Sequence, residues 1–253
     1  MSTNKDLAGQ HVVITGGGRG IGAAIAERVS QLGATTTLLG RDEATLQAQA
    51  ERLDNVSYRV LDVTNGEAVT EVFESIGDVQ VLVNNAGSAP SAPFTKLSHE
   101  VWKQTLAVNL DGVFYCTQAV INGMVESNYG RIINIASTSA LKGYAYVAAY
   151  CAAKHGTLGL TRALATEYAR KNITANAICP GFTETDLLTT AVDNIVSTTG
   201  RSVEEARSAL YSGNPQQRFI EPKEIANTVE WLLREESSSI TGQAIAVCGG
   251  EVM

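Results

Sequence analysis

Short β-branched runs alternate with helix-spaced segments along the 253-residue chain, and this alternation constrains the fold more than any other feature. "HVVIT" at 11–15 runs into glycines, and "GIGAAIAERVSQLG" then carries apolar residues at helical spacing and closes on Gly33 as a helix C-cap. "TTTLLG" reads as a second strand and "DEATLQAQAERL" as a second helix with Asp42 near its start. "VSYRVLDV", "GEAVTEVFESIG" and "VQVLVNNAG" continue the rhythm. A long helix is expected from Ser98 to about Met124 with Asn109 inside it, then a fifth strand at "GRIINIAS" and a helix from about Val147 to Arg170. A sixth strand follows at "ITANAICPG" and a seventh at "QAIAVCGG". Strands alternating with helices of ~10 residues or more form a parallel sheet with helices on both faces.

At 44% hydrophobic and 18% charged residues, with no linker or break in composition, the chain suits one such domain spanning 1–253. The rhythm breaks once. Between Gly181 and Pro215 no strand is expected, only short helices, and "SVEE" at 202–205 matches a capping box. Open α/β sheets bind ligands at the carboxyl ends of their strands, so an insertion at 182–215 reads as a substrate lid, with a plain surface excursion as the alternative.

A net charge of −7 with no basic run argues against a nucleic-acid partner. No run approaches the ~18 apolar residues of a membrane span. "MSTNKDLAGQ" lacks the layout of a secretory signal. Cys116, Cys151, Cys179 and Cys248 are far apart, with no CxxC and no histidine at ligand spacing. They read as reduced thiols of a cytoplasmic protein without a metal site.

"TGGGRGIG" at 15–22 joins the first strand to the first helix. Glycines let the backbone approach a ligand, and the helix start offers free N–H groups to a phosphate. Strand before and helix after make this a dinucleotide signal. A fold preferring NAD(H) places an acid at the end of the second strand to hold the ribose 2′-hydroxyl. Here Gly40 stands about there, Arg41 follows, and Arg19 lies in the glycine loop. Two guanidiniums suit a 2′-phosphate, so NADP(H) is favoured over NAD(H), while Asp42 remains the candidate acid if the strand ends later.

Of the eight tyrosines only Tyr150 has a lysine four residues on, and the two share a helix face. A unit positive charge ~5 Å from a phenol of reference pKa ~10, at an effective dielectric of ~20, favours the phenolate by roughly 3 kcal/mol, about 2 pK units. That moves the phenol towards the range of an acid/base catalyst. Ser137 ends the fifth strand, where its hydroxyl can orient a carbonyl oxygen.

"TGGGRGIG", "NNAG" at 84–87, Asn109, Ser137, the Tyr150-x-x-x-Lys154 pair and "PGFTET" at 180–185 stand in an order and spacing that resemble the short-chain dehydrogenase/reductase family over essentially the whole chain. The resemblance is nearest to members that reduce 3-oxoacyl thioesters and polyketide ketones. It implies a single-domain Rossmann-type doubly wound sheet of about seven strands, and hydride transfer between a nicotinamide and a carbonyl/secondary alcohol pair. By resemblance Tyr150 is the general acid/base, Ser137 holds the carbonyl oxygen, Lys154 binds the nicotinamide ribose, and Asn109 keeps a water in a relay to Lys154. Gly16, Gly18, Arg19, Gly20, Ile21 and Gly22 hold the pyrophosphate, and Arg41 serves the 2′-phosphate. Asp62 meets the adenine with Val63 beside it, while Asn84, Asn85, Ala86 and Gly87 support the adenosine side. Pro180, Gly181, Thr183 and Thr185 cradle the nicotinamide amide, and a homotetramer or homodimer is implied.

His11, His99 and His155 suggest neither a triad nor a zinc site, and Trp102 and Trp231 read as packing. Lys142 reads as a solvated loop lysine or a contact for an acidic substrate group. Free ketones, alcohols or sugars remain alternative substrates. A protein that senses NADP(H) without turnover is the alternative of another class.

Overall fold

The central strands carry Val, Ile and Leu because both of their faces are covered. The computed structural model describes residues 6–253; residues 1–5, on which the reading of the N-terminus partly rests, lie outside it. β1 (His11–Thr15), β2 (Thr35–Gly40), β3 (Val56–Val60), β4 (Val81–Asn84), β5 (Gly130–Ile135), β6 (Ile173–Pro180) and β7 (Ala244–Val247) form one sheet in the order β3-β2-β1-β4-β5-β6-β7. All pairs are parallel. Every residue of β4, β5 and β6 is buried.

Strand alternation sorts the apolar side chains into two cores. Val12, Ile14, Val83 and Ile133 pack with Ile25 and Val29 of α1 (Gly20–Gln31), Leu46 of α2 (Glu43–Glu51), and Ile225 and Val229 of α9 (Pro222–Leu233). Val13, Leu82 and Ile132 pack on the other face. Their partners there are Phe73 of α3 (Gly66–Ile76), Met124 of α5 (Gly112–Ser127) and Ala165 of α6 (Ala148–Tyr168). The doubly wound architecture is thus present in a single domain.

Local signals behave as the sequence suggests. Gly33 follows α1 at φ +85°, and the Asp42 carboxylate caps α2 by accepting from Thr45 N at 3.2 Å. The expected long helix exists with one irregularity: α4 (His99–Leu106) passes into a π-helical stretch, Ala107–Asp111, before α5. Asn109 sits in that stretch. The insertion holds α7 (Asp186–Thr199) and α8 (Val203–Tyr211), and Ser202 and Glu205 form the capping box. Its strand content is one isolated bridge, Thr183 to Ile220. Among the described residues no helix is long and apolar enough to cross a membrane, and no cluster of three or more His, Cys, Asp or Glu could hold a metal.

The sheet order reverses between β1 and β4: from β1 the chain moves outward to β2 and β3, then returns to the far side. Such a switch point opens a crevice at the carboxyl ends of the strands.

Candidate active site

The crevice is floored by the turn after β1. Gly16 adopts φ +65°, and a Cβ there would stand 2.9 Å from Asn85 Nδ2. A Cβ on Gly22 would lie 2.2 Å from Gly16 O, so only glycine permits the turn to close on α1. Arg19, the N-cap of α1, makes no side-chain cap, and the first turn carries no acid. The N–H groups of that turn, including those of Ile21 and Gly22, are left for an anion. Asn85 Nδ2 donates to Thr15 O (2.9 Å) and Gly16 O (3.0 Å), while Thr15 Oγ1 accepts from Asn85 N (2.9 Å) and Ala86 N (3.0 Å). A close-packed glycine turn before an uncapped helix fits a dinucleotide pyrophosphate.

The turns after β2 and β3 come next. Gly40 ends β2 and Asp42 is committed to capping α2. Arg41 lies 3.9 Å from Asp62 Oδ2, and Asp62 Oδ1 accepts from Thr64 N (3.0 Å) and Thr64 Oγ1 (2.8 Å). Val63 beside it is buried. Arg19 pairs with Asp186 of α7 at 3.3 Å. The Arg19 and Arg41 side chains are 66% and 70% exposed, and such pairs contribute only about 0–1 kcal/mol, so a phosphate can displace their carboxylates.

After β6, Pro180 leads into Gly181 and Thr183, whose hydroxyl donates to Gly181 O at 2.9 Å. Thr185 begins α7 and leans over the glycine turn: a Cβ on Gly20 would lie 3.1 Å from Thr185 Cγ2.

Three elements bring the four acid/base candidates together. Ser137, two residues beyond β5, accepts from Ser139 N at 3.1 Å. On α6, Lys154 Nζ lies 5.6 Å from the Tyr150 ring centroid and donates to Ile135 O, the end of β5, at 2.8 Å. Asn109 Nδ2 donates to Ser88 O (2.8 Å) and Thr105 O (2.9 Å), while its buried Oδ1 has no partner. A Cβ on Gly87 would lie 2.7 Å from that Oδ1 and 3.8 Å from Lys154 Nζ, so the glycine keeps open the space beside both.

Electrostatics here differs from what the Tyr–Lys spacing suggests. Burial pushes the Tyr150 phenol up to about 12, against a smaller downward pull from the Ser137 hydrogen bond. Burial also lowers Lys154 to about 8. Desolvation disfavours both charged forms, the phenolate and the ammonium. The pair as it stands is a protonated phenol beside a weakly held ammonium.

Two expectations are revised. Asn84 turns away from the crevice: its amide donates to Asn134 Oδ1 (2.9 Å) and Thr117 Oγ1 (3.2 Å) inside the core, as strand alternation requires of a residue preceding Asn85. Lys142, its side chain 40% exposed, is solvated as one reading had it, but it is not free: it pairs with Glu251 at 3.2 Å. Thr157 and Glu251 belong to no motif in the sequence, yet they bond to Asn109 and to the loop after Ser137, while Thr15, which opens the glycine motif, bonds to Asn85 and Ala86 of the turn after β4.

Residues 10–195 match the family described as short chain dehydrogenase. The chain is 36% identical over 253 residues to the 3-oxoacyl-[acyl-carrier-protein] reductase of Vibrio cholerae, covering 98% of this chain and 99% of that one. It is 37% identical to the acetoacetyl-CoA reductase of Shinella zoogloeoides, covering 94% and 97%. Among solved structures, a single-substitution variant of actinorhodin polyketide ketoreductase with NADPH superposes with a TM-score of 0.92 at 34% identity, covering 98% of each chain. Sheet order, glycine turn and Tyr–Lys helix agree with this likeness along the full length, and the chain belongs to the short-chain dehydrogenase family, as an oxidoreductase of carbonyl/alcohol pairs.

Proposed function

We propose that this protein reduces a 3-oxoacyl thioester, or a closely related ketone, with NADPH. The observation that carries this reading is the grouping of Tyr150, Ser137 and the buried Lys154, with Lys154 Nζ 5.6 Å from the Tyr150 ring, in a chain 36–37% identical to a 3-oxoacyl-[acyl-carrier-protein] reductase and an acetoacetyl-CoA reductase.

Bound NADPH supplies the hydride. Tyr150 Oη gives its proton to the carbonyl oxygen as negative charge develops there. Ser137 Oγ accepts from Ser139 N and spends its own proton on Tyr150 Oη, from which it turns to the same carbonyl oxygen when substrate binds. Lys154 Nζ spends one of its three donors on Ile135 O and keeps two for ribose hydroxyls. Its charge favours the phenolate left after transfer. The unpartnered Asn109 Oδ1 is an acceptor for the water through which the phenol regains its proton.

Selection of NADPH rests on Arg19 and Arg41, with Gly40 where an acid would stand and Asp42 occupied as a cap. The 182–215 insertion acts as the lid, tied to the glycine turn by the Arg19–Asp186 pair until a 2′-phosphate takes Arg19. A cytoplasmic homotetramer belongs to the same reading.

The test is consumption of reduced nicotinamide by the purified protein with acetoacetyl-CoA, NADPH and NADH being run in parallel. Rapid turnover with NADPH and little with NADH is expected. Faster NADH turnover would overturn the cofactor assignment, and no turnover with either would overturn the thioester assignment.

A further inference from the structure

One carboxylate joins the loop after Ser137, both ends of the insertion and the segment after β7. The Glu251 side chain is only 5% exposed, and its Oε1 accepts from the Tyr144 hydroxyl at 2.6 Å and lies 3.2 Å from Lys142 Nζ. The Tyr144 hydroxyl also meets Thr138 Oγ1 at 2.7 Å. A phenol has one proton and a carboxylate only accepts, so Tyr144 donates to Glu251 and Thr138 donates to Tyr144. Thr138 is the neighbour of Ser137 in the chain.

The same carboxylate abuts the insertion at its entry and its exit. A Cβ on Gly181 would lie 3.3 Å from Glu251 Oε2, and one on Gly213 would lie 3.7 Å from Oε1. With its hydroxyl occupied, Tyr144 turns its ring edge-on to Phe182, the first residue of the insertion, at 6.2 Å between centroids. Buried charge persists only where it is paired and hydrogen-bonded, and Lys142 with Tyr144 meets both needs.

We propose that Glu251 is a positioning residue for carbonyl reduction: through Tyr144 and Thr138 it fixes the Ser137 loop and sets the Tyr144–Phe182 wall against the ends of the insertion. This rests on the reading of Ser137 and the insertion as parts of the active site. It also means that the Lys142 charge is matched within the protein rather than offered to an anionic substrate.

Two variants test this. Glu251→Gln keeps volume and removes charge; Tyr144→Phe removes one oxygen. Hydrogen exchange on the whole protein reads the loop without any substrate. In both variants amides of 138–146 are expected to exchange about tenfold faster, with those of β1 and β4 unchanged. Kinetics with NADPH, on whichever carbonyl the wild type reduces, are expected to show KM raised about tenfold by the loosened wall, kcat lowered about tenfold by the displaced Ser137 and NADPH affinity held within about twofold. The double variant is expected to be no worse than either single one. Unchanged exchange, additive losses, wild-type KM values or a parallel loss of NADPH affinity would each overturn the proposal. A wild type that reduces no carbonyl overturns the proposed function instead, and exchange alone then decides whether Glu251 holds the loop.

Discussion

Thr157 on α6 donates its hydroxyl to the backbone carbonyl of Asn109, 2.9 Å away. In a π-helical stretch the ladder shifts to i→i+5 and the usual partner of a carbonyl is displaced. The Thr157 hydroxyl, whose one proton is shared between Asn109 O and Ala153 O at 3.1 Å, ties this stretch to α6, with the Asn109 side chain beside Lys154 and Gly87.

Thr157→Val removes that hydrogen bond between the two helices. A loss of about 0.5–1.5 kcal/mol in urea unfolding is expected, with kcat lowered and Thr157→Ser close to wild type. Equal stability of the Val and Ser variants would show that the bond does not hold the bulge.

Tyr150→Phe leaves the packing of α6 intact and removes the acid. Turnover is expected to fall by about 10²–10⁴-fold, with NADPH affinity, followed by fluorescence titration, within about twofold. A variant that retained turnover would assign the proton to another group.

Lys154 makes stability depend on pH. Its folded value of about 8 lies below the ordinary 10.5, so between these values the unfolded chain binds more protons than the native one. Stability therefore rises with pH across that window. Against Lys154→Met, in which other titrations cancel, the wild type is expected to gain on the order of 1–3 kcal/mol between pH 7 and 10.5, measured by urea unfolding at each pH. A constant difference would place the ammonium in a polar environment.

Gly87→Ala puts a methyl 2.7 Å from Asn109 Oδ1 and 3.8 Å from Lys154 Nζ. Turnover is expected to fall at least about tenfold and unfolding free energy by about 1–3 kcal/mol, because the methyl displaces the buried Asn109 amide from the space between two proposed acid/base groups. Wild-type kinetics would remove Asn109 from the relay.

Arg41→Ala is expected to weaken NADPH about tenfold and to leave NADH unchanged, read as kcat/KM for each. Equal loss with both would make Arg41 a contact for the adenosine rather than for the 2′-phosphate.

What the sequence disclosed was local. The capping box at Ser202 and Glu205 spans three positions, the Tyr150–Lys154 face spans four, and strands buried on both faces announce themselves as apolar runs. Burial itself was not legible, and it reverses the direction in which Tyr150 shifts. Nor were bonds between distant residues: Thr157 is 48 positions from Asn109 and Glu251 is 107 from Tyr144. Asn84 reads as part of a turn motif because it adjoins one, but its place at the end of a buried strand sends it inward.

The grip of Asn85 on the glycine turn has a kinetic side. Asn85 reaches back 70 positions to Thr15, and β1 lies between β2 and β4. The phosphate cradle is therefore absent from any partly folded chain that has paired only β1 with β2 and β3. Closing so long a loop is slow relative to local pairing, so dinucleotide affinity emerges late in refolding, in step with the docking of β4. From that moment a bound dinucleotide favours the completed sheet over its precursors.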